Sequence, residues 1–343
     1  MATALVLGGT GQVGLAVAAR LLPDGWEVRL ASRGRTEPTA TVPEGARTVV
    51  LDRDDDAAVG SAADEVDLLV DAVCMTTAHA RQLVDLGDRV GALHVVSTLA
   101  VYADAAARSL ESAAETWFPQ FPVPIGEDQP TVGPGDMGYA DRKVAVEQEV
   151  LAHARVPVTV SRPGAIHGLG SVHPREWFFV SRALAGRRAV LLDHRGASRF
   201  QPTAAANLAE IIALGAAHPG RRIVNAADPD CPTTLEIGRF VAAALDASWT
   251  EVLLTGSGPD GVGETPWSTP APFVASTALA ERELGYAPVT TYADAVPAVV
   301  RWLVEATRDR DPVEVFPFLG RHYRPQVEVF SAEDAVLRAL TGD

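Results

Sequence analysis

A doubly wound parallel α/β sheet with a smaller C-terminal lobe is the fold class that the sequence predicts, on three observations. The chain opens on a short apolar run, Leu5-Val6-Leu7, that breaks into glycines at Gly8, Gly11 and Gly14 and resumes as a helical pattern. Short strand-like runs then alternate with stretches of helical periodicity, the rhythm of parallel strands joined by crossover helices. One such run, residues 66–73, is apolar almost throughout, as a strand covered on both faces must be.

The elements follow in order. The first helix is expected over 11–22, where Pro23-Asp24-Gly25 stops it. Strands are expected at 26–31, 47–51, 66–73 and 93–97, with a helix at 78–90. Residues 103–116 are alanine-rich and predict a helix, before a Pro/Gly-rich run that ends at Gly135. A binding lid or a surface excursion would each account for this insertion, and Trp117, Phe118 and Phe121 are its candidate pocket residues. A helix opens at Tyr139 and a strand spans 158–162. Ser331-Ala332-Glu333-Asp334 predicts a helix start with an acidic first turn. A nucleotide-binding domain is therefore placed at 1–163 with a return segment near 200–226. Residues 164–199 and 227–343 are assigned to a substrate lobe whose end, 311–343, is an extension.

Bulk properties bound the function. The 343 residues are 47% hydrophobic and carry a net charge of −15. Nucleic acid and anionic membrane surfaces, both gripped by excess Lys and Arg, are thereby disfavoured as partners. No apolar run approaches membrane-spanning length and Met1-Ala2-Thr3-Ala4 has no basic leader, so a cytoplasmic location is expected. Cys74 and Cys231 stand too far apart to suggest a disulfide framework, and the eight histidines show no metal-binding spacing, so no metal is assigned.

The glycine turn points to a dinucleotide. Gly8 makes the turn tight, Gly11 lets backbone approach a pyrophosphate, and Gly14 lets helix pack on strand. Backbone N–H groups around Thr10, Gln12 and Val13, at the helix start, hold the anion. At the end of the second strand an acid would bond a ribose hydroxyl and an arginine would accommodate a 2′-phosphate. Arg33 and Arg35 stand there with no acid, so NADP(H) is expected ahead of NAD(H). Asp52 and Arg53, past the third strand, are placed near the adenine.

Tyr139 and Lys143 lie four residues apart and share a helix face. A phenol works as acid or base near neutral pH only if its pKa of about 10 is lowered, which a fixed ammonium does. Lys143 is the only lysine in the chain. A position that keeps a compact ammonium where every other cation is a guanidinium suggests a role that arginine cannot fill. Ser97, Thr98 and Tyr102, just past a strand end, are site candidates by position.

Gly8-x-x-Gly11-x-x-Gly14, Ser97-Thr98-x-x-x-Tyr102, Tyr139-x-x-x-Lys143, Arg162-Pro163 and His167-Gly168 together resemble the extended short-chain dehydrogenase/reductase, or NAD-dependent epimerase/dehydratase, family. The likeness implies a helix at 208–217 and a strand at 223–226 that returns to the sheet, continues through 280–286 and covers roughly residues 3–308. It implies that Tyr139 is the catalytic acid/base, that Lys143 lowers its pKa and bonds the nicotinamide ribose, and that Thr98, or else Ser97, holds the substrate oxygen. A dimer is the family expectation.

The sequence also departs from that family. Leu99-Ala100 follows Thr98 where dehydratases of the family carry Asp-Glu, so dehydration is not expected. Residues 263–270 contain no arginine for a diphosphate, and Arg199 stands one residue off the second clamp position. A more neutral pocket is expected, with Trp177, Phe178, Phe179 and Trp267 as candidate walls and His167 near the nicotinamide end. The sequence therefore predicts an NADP(H)-dependent oxidoreductase interconverting a ketone and a secondary alcohol on a small-to-medium metabolite. A nucleotide-sugar epimerase with tightly held NAD(P), or a non-catalytic cofactor-binding regulator, are the alternatives.

Overall fold

A computed structural model describes residues 1–341; residues 342 and 343, the end of the predicted extension, lie outside the described residues. The chain runs β1 (Thr3–Leu7), α1 (Gln12–Leu21), β2 (Glu27–Ser32), β3 (Arg47–Val50), α2 (Asp56–Ala62), β4 (Val66–Asp71), α3 (Thr77–Asp85), β5 (Val90–Val96), α4 (Tyr139–His153) and β6 (Val158–Pro163). It continues with β7 (Ala165–His167), α5 (Trp177–Leu184), β8 (Ala189–Leu192), β9 (Pro202–Ala204), α6 (Ala205–Ala217), β10 (Arg221–Ala226) and α7 (Thr234–Ala244). The last elements are β11 (Thr250–Leu253), α8 (Ala278–Leu284), α9 (Tyr292–Ala306), α10 (Pro312–Val315), α11 (Pro317–His322) and α12 (Gln326–Thr341).

Seven strands form one parallel sheet in the order β10-β6-β5-β4-β1-β2-β3. Val6 sits between Leu30 of β2 and Val70 of β4, so the order reverses on the two sides of β1, where the glycine turn leaves the sheet. That reversal opens a crevice beyond the carboxyl ends of the strands. One face of the sheet is covered by Leu15, Val17 and Leu21 of α1 together with Leu208, Ile211 and Ile212 of α6. The other is covered by Leu83 of α3 and Val146 and Val150 of α4. Both faces are thus dry, which is why β1 and β4 read as continuous apolar runs.

The chain divides into two compact units. The first holds 1–166, 201–229 and 274–290; the second holds 167–200, 230–273 and 291–343. Residues 274–290, placed in the substrate lobe by the sequence, group with the first unit because Ala280, Leu284 and Tyr286 pack into the core around α1 and α6. The second unit has its own core of Phe179, Val190, Ile237, Trp267, Tyr292 and Val296, with β8 and β11 paired in parallel.

Two expected helices differ. Residues 103–116 contain only a short 3-10 turn at Ser112–Ala114. Asp104 captures the local backbone instead: Oδ1 accepts from Ala106 N at 2.9 Å and Arg108 N at 3.0 Å, and Oδ2 from Gln120 N at 2.9 Å. Such side-chain bonds compete directly with a helix. At the C-terminus, α12 starts at Gln326 behind Pro325, so Ser331 lies inside the helix and donates back to Val327 O at 2.8 Å. Among the helices that escaped the sequence reading, α2 is capped by Asp55, which accepts from Ala58 N at 2.9 Å.

Candidate functional site

The glycine turn is built by three distinct demands. Gly8 has a left-handed φ of +79°, and a side chain at Gly14 would meet Gly9 Cα at 2.4 Å. Gly9, which the sequence reading passed over, approaches β2 so closely that a Cβ would meet Leu30 Cα at 2.5 Å. Its signal was present in the adjacent pair Gly8-Gly9. Gly11 differs from all three: a Cβ there would touch only Gly8 O, at 3.3 Å. Packing does not require a glycine at Gly11, so the space beside it fits a group that must come close to backbone. The first turn of α1 has no acidic residue and no side-chain cap at Gly11, so its positive end faces that space. Thr10 is fixed by its carbonyl, which accepts from Thr39 N at 3.0 Å, while Gln12 and Val13 are half-buried in the first turn. These residues fit a dinucleotide pyrophosphate.

Arg33 is exposed just past the end of β2 and forms no ion pair among the described residues. Arg35 lies 3.6 Å from Asp52. Arg53, placed near the adenine by the sequence, is engaged within the protein. Its Nε and Nη2 donate to buried Asp71 at 3.0 and 2.6 Å, and Nη2 also donates to His79 O at 3.1 Å. The guanidinium is spent on fixing the end of β4.

The reactive pair sits at the start of α4. Tyr139 is 39% exposed, and the neighbouring Thr98 side chain favours its phenolate. Thr98 also accepts from Ala100 N at 3.1 Å, which holds the turn after β5. Lys143 is buried and lies 5.9 Å from the Tyr139 ring centroid, so the two share the predicted face. Its Nζ donates to Cys74 O at 2.8 Å and Val96 O at 2.9 Å, the carboxyl ends of β4 and β5. An ammonium has three donors, and one is left over.

The electrostatics differ from expectation. Burial raises the Tyr139 phenol above its ordinary value, the Thr98 hydroxyl opposes the rise, and the Glu111 carboxylate adds to it. Lys143 is not what sets the direction, because its ammonium is turned to the strand-end carbonyls. Burial also pulls Lys143 down, against the carboxylates of Asp71 and Glu147. Glu111 was not foreseen. It accepts from Tyr139 N at 2.8 Å and Ala140 N at 3.0 Å, and no spacing rule links it to α4.

Other candidates are structural. Ser97 donates to buried Glu147, which receives Arg162 Nε at 3.0 Å and Nη2 at 2.6 Å. Tyr102 is fully buried under the Arg162 guanidinium and donates to Asn225 Oδ1 at 2.7 Å. Both side chains are thus engaged within the protein. Trp117 is exposed on the insertion.

His167 and Trp177 belong to the second unit. His167 is buried against the Tyr292 ring, with centroids 4.6 Å apart. Phe179 and Trp267, expected as pocket walls, are core residues instead, stacked on each other at 6.1 Å. Trp177 and Phe178 do line a cavity. Arg199 donates to Cys231 O, which occupies one arm of the doubtful clamp.

The profile of the NAD dependent epimerase/dehydratase family matches residues 4–227, from β1 through the end of the sheet. The chain belongs to that family. Solved structures share its fold at low identity. A putative epimerase from Burkholderia cenocepacia J2315 is 18% identical, with a TM-score of 0.69 over 88% of this chain and 97% of its own. UDP-N-acetylglucosamine 4-epimerase from Bacillus cereus is 16% identical, with a TM-score of 0.66 over 88% and 99%. dTDP-glucose 4,6-dehydratase from Bacillus anthracis, solved with NAD, is 16% identical, with a TM-score of 0.66 over 90% and 98%. No curated protein matches the chain at a significant level. No helix among the described residues is long and apolar enough to cross a membrane.

Proposed function

We propose that this family member is an NADP(H)-dependent oxidoreductase that interconverts a ketone and a secondary alcohol on a small-to-medium metabolite. The observation that carries the proposal is the convergence of Thr98, Tyr139 and Lys143 at the ends of β4, β5 and the start of α4. Gly11 and the start of α1 hold the pyrophosphate, and the free Arg33 guanidinium receives a 2′-phosphate. A bound nicotinamide supplies or accepts the hydride. Thr98 positions the substrate oxygen by hydrogen bonding. Tyr139 gives that oxygen a proton on reduction and takes it back on oxidation. The remaining donor of Lys143 orients the nicotinamide ribose. A phenol held above its ordinary pKa is protonated at neutral pH, which suits the reductive direction.

A second reading, an epimerase of nucleotide-linked sugars with a cofactor that never leaves, is favoured by the names of the similar structures. The absence of Asp-Glu after Thr98 supports the reductase over a dehydratase.

Calorimetric titration of cofactor-stripped protein with NADPH and NADH tests the proposal. NADPH is expected to bind at least tenfold tighter, and Arg33→Ala to remove that preference while leaving NADH unchanged. Equal affinities, or an unchanged ratio in the variant, would refute the cofactor assignment. A cofactor that survives denaturation-free stripping, with no net absorbance change on turnover, would favour the epimerase.

A further inference from the structure

The second unit lines a cleft of about 780 Å³, within the range of about 300–1,000 Å³ that holds small molecules. Trp177 and Phe178 of α5 form one wall, Val262 another, and Val313, Val329 and Phe330 of the C-terminal segment close it. Most of its lining residues lie beyond residue 227, outside the family match.

Charged residues such as Arg175, Asp260, Glu264, Asp311 and Arg324 also line the cavity, and against its apolar walls lies one buried carboxylate. Glu333 lines the cavity and is 1% exposed. Its Oε1 receives both Nε, at 3.0 Å, and Nη2 of Arg182. Arg182 is itself buried, with its guanidinium 3.5 Å from the Phe178 ring centroid and 5.6 Å from that of Phe330. Glu333 Oε2 accepts no hydrogen bond among the described residues; Arg187 Nη2 lies 3.5 Å away. A buried carboxylate oxygen without a donor costs free energy. A donor brought by a ligand would supply what is missing.

The charge selects the ligand. Two guanidiniums already neutralise Glu333, so a cation gains little there and an anion would have to displace the carboxylate's own partners. A neutral hydroxyl offers one donor and asks for no counter-charge. We propose that this cavity is a binding site for a neutral, lipophilic molecule carrying a hydroxyl donor, received by Glu333 Oε2 with its apolar body against Trp177, Phe178 and Val329. The site requires neither cofactor nor turnover, so it stands or falls apart from the proposed reaction.

The probes are 4-phenylphenol and its methyl ether, 4-methoxybiphenyl, which keeps the apolar body and loses the donor. In calorimetric titrations of the full chain, one phenol per chain is expected, with the ether at least tenfold weaker, as loss of a hydrogen bond to a charged group implies. Val329→Trp, which fills the cavity from α12, is expected to abolish phenol binding while the thermal transition stays in place. Failure of the wild type to bind the phenol, equal affinity for phenol and ether, or undiminished binding by a folded Val329→Trp would each overturn the proposal. Should Val329→Trp not fold, the phenol-to-ether ratio on the wild type decides alone.

Discussion

Glu111 receives the backbone N–H of Tyr139 at 2.8 Å, so a residue 28 positions upstream, in the insertion, caps the helix that carries the proposed acid/base. The same carboxylate takes Ala140 N at 3.0 Å, satisfying two of the amides that a helix start leaves open. Its charge also disfavours the phenolate. Glu111→Gln removes the charge and keeps an acceptor, so the Tyr139 titration midpoint is expected to move down. Ultraviolet titration, with the Tyr139→Phe signal subtracted, reads that shift; an upward or absent shift would contradict it. Glu111→Ala removes the cap as well and is expected to cost about 1 kcal/mol of stability.

The glycines of the first turn separate packing from binding. Gly14→Ala drives a methyl into Gly9 backbone at 2.4 Å and is expected to lower stability by several kcal/mol. Gly11→Ala meets only Gly8 O at 3.3 Å, so its stability should stay within about 1 kcal/mol of the parent. Its cofactor affinity is expected to fall at least tenfold. Urea melts together with NADPH titrations of the two variants check the contrast, and the opposite pattern would refute it.

His94, within β5, is 1% exposed, meets Ser161 Oγ at 3.0 Å, and has its pKa pushed down to about 3 by burial. In the unfolded chain the ring titrates near the ordinary value of about 6.5. The folded pKa is the depressed one, so the unfolded state binds the proton first. The contribution of neutral His94 is therefore complete above that ordinary value and is lost as pH falls toward 3. Denaturant melts between pH 6 and 4.5 should show His94→Gln losing less stability per unit than the parent, by about 1 kcal/mol. Parallel curves would contradict this account.

Much of the site was legible because local chemistry dictates it. Gly8, Gly11 and Gly14 follow from what a tight turn, an anion and a helix–strand contact each demand, and Tyr139 and Lys143 follow from the helical repeat. The strands were legible for the same reason, since a sheet covered on both faces leaves apolar runs in the sequence. What escaped depends on distant partners. Glu111, Asp71 and Asn225 acquire their roles from residues 18 to 123 positions away, and no periodicity announces them. Arg53 and Ser97 lay in the expected places yet were already engaged by Asp71 and Glu147. Helix propensity misled at 103–116, where Asp104 offered the backbone a competing set of bonds.

The central claim is that Tyr139 exchanges the proton with the substrate oxygen, and turnover by Tyr139→Phe tests it most directly. Wild type and variant would be loaded with NADPH and offered the same panel of ketones while absorbance at the nicotinamide band is followed. The account predicts that the variant binds NADPH as the parent does and loses turnover about a hundred- to ten-thousandfold on any ketone the parent reduces. Reduction by Tyr139→Phe at the parental rate would contradict it.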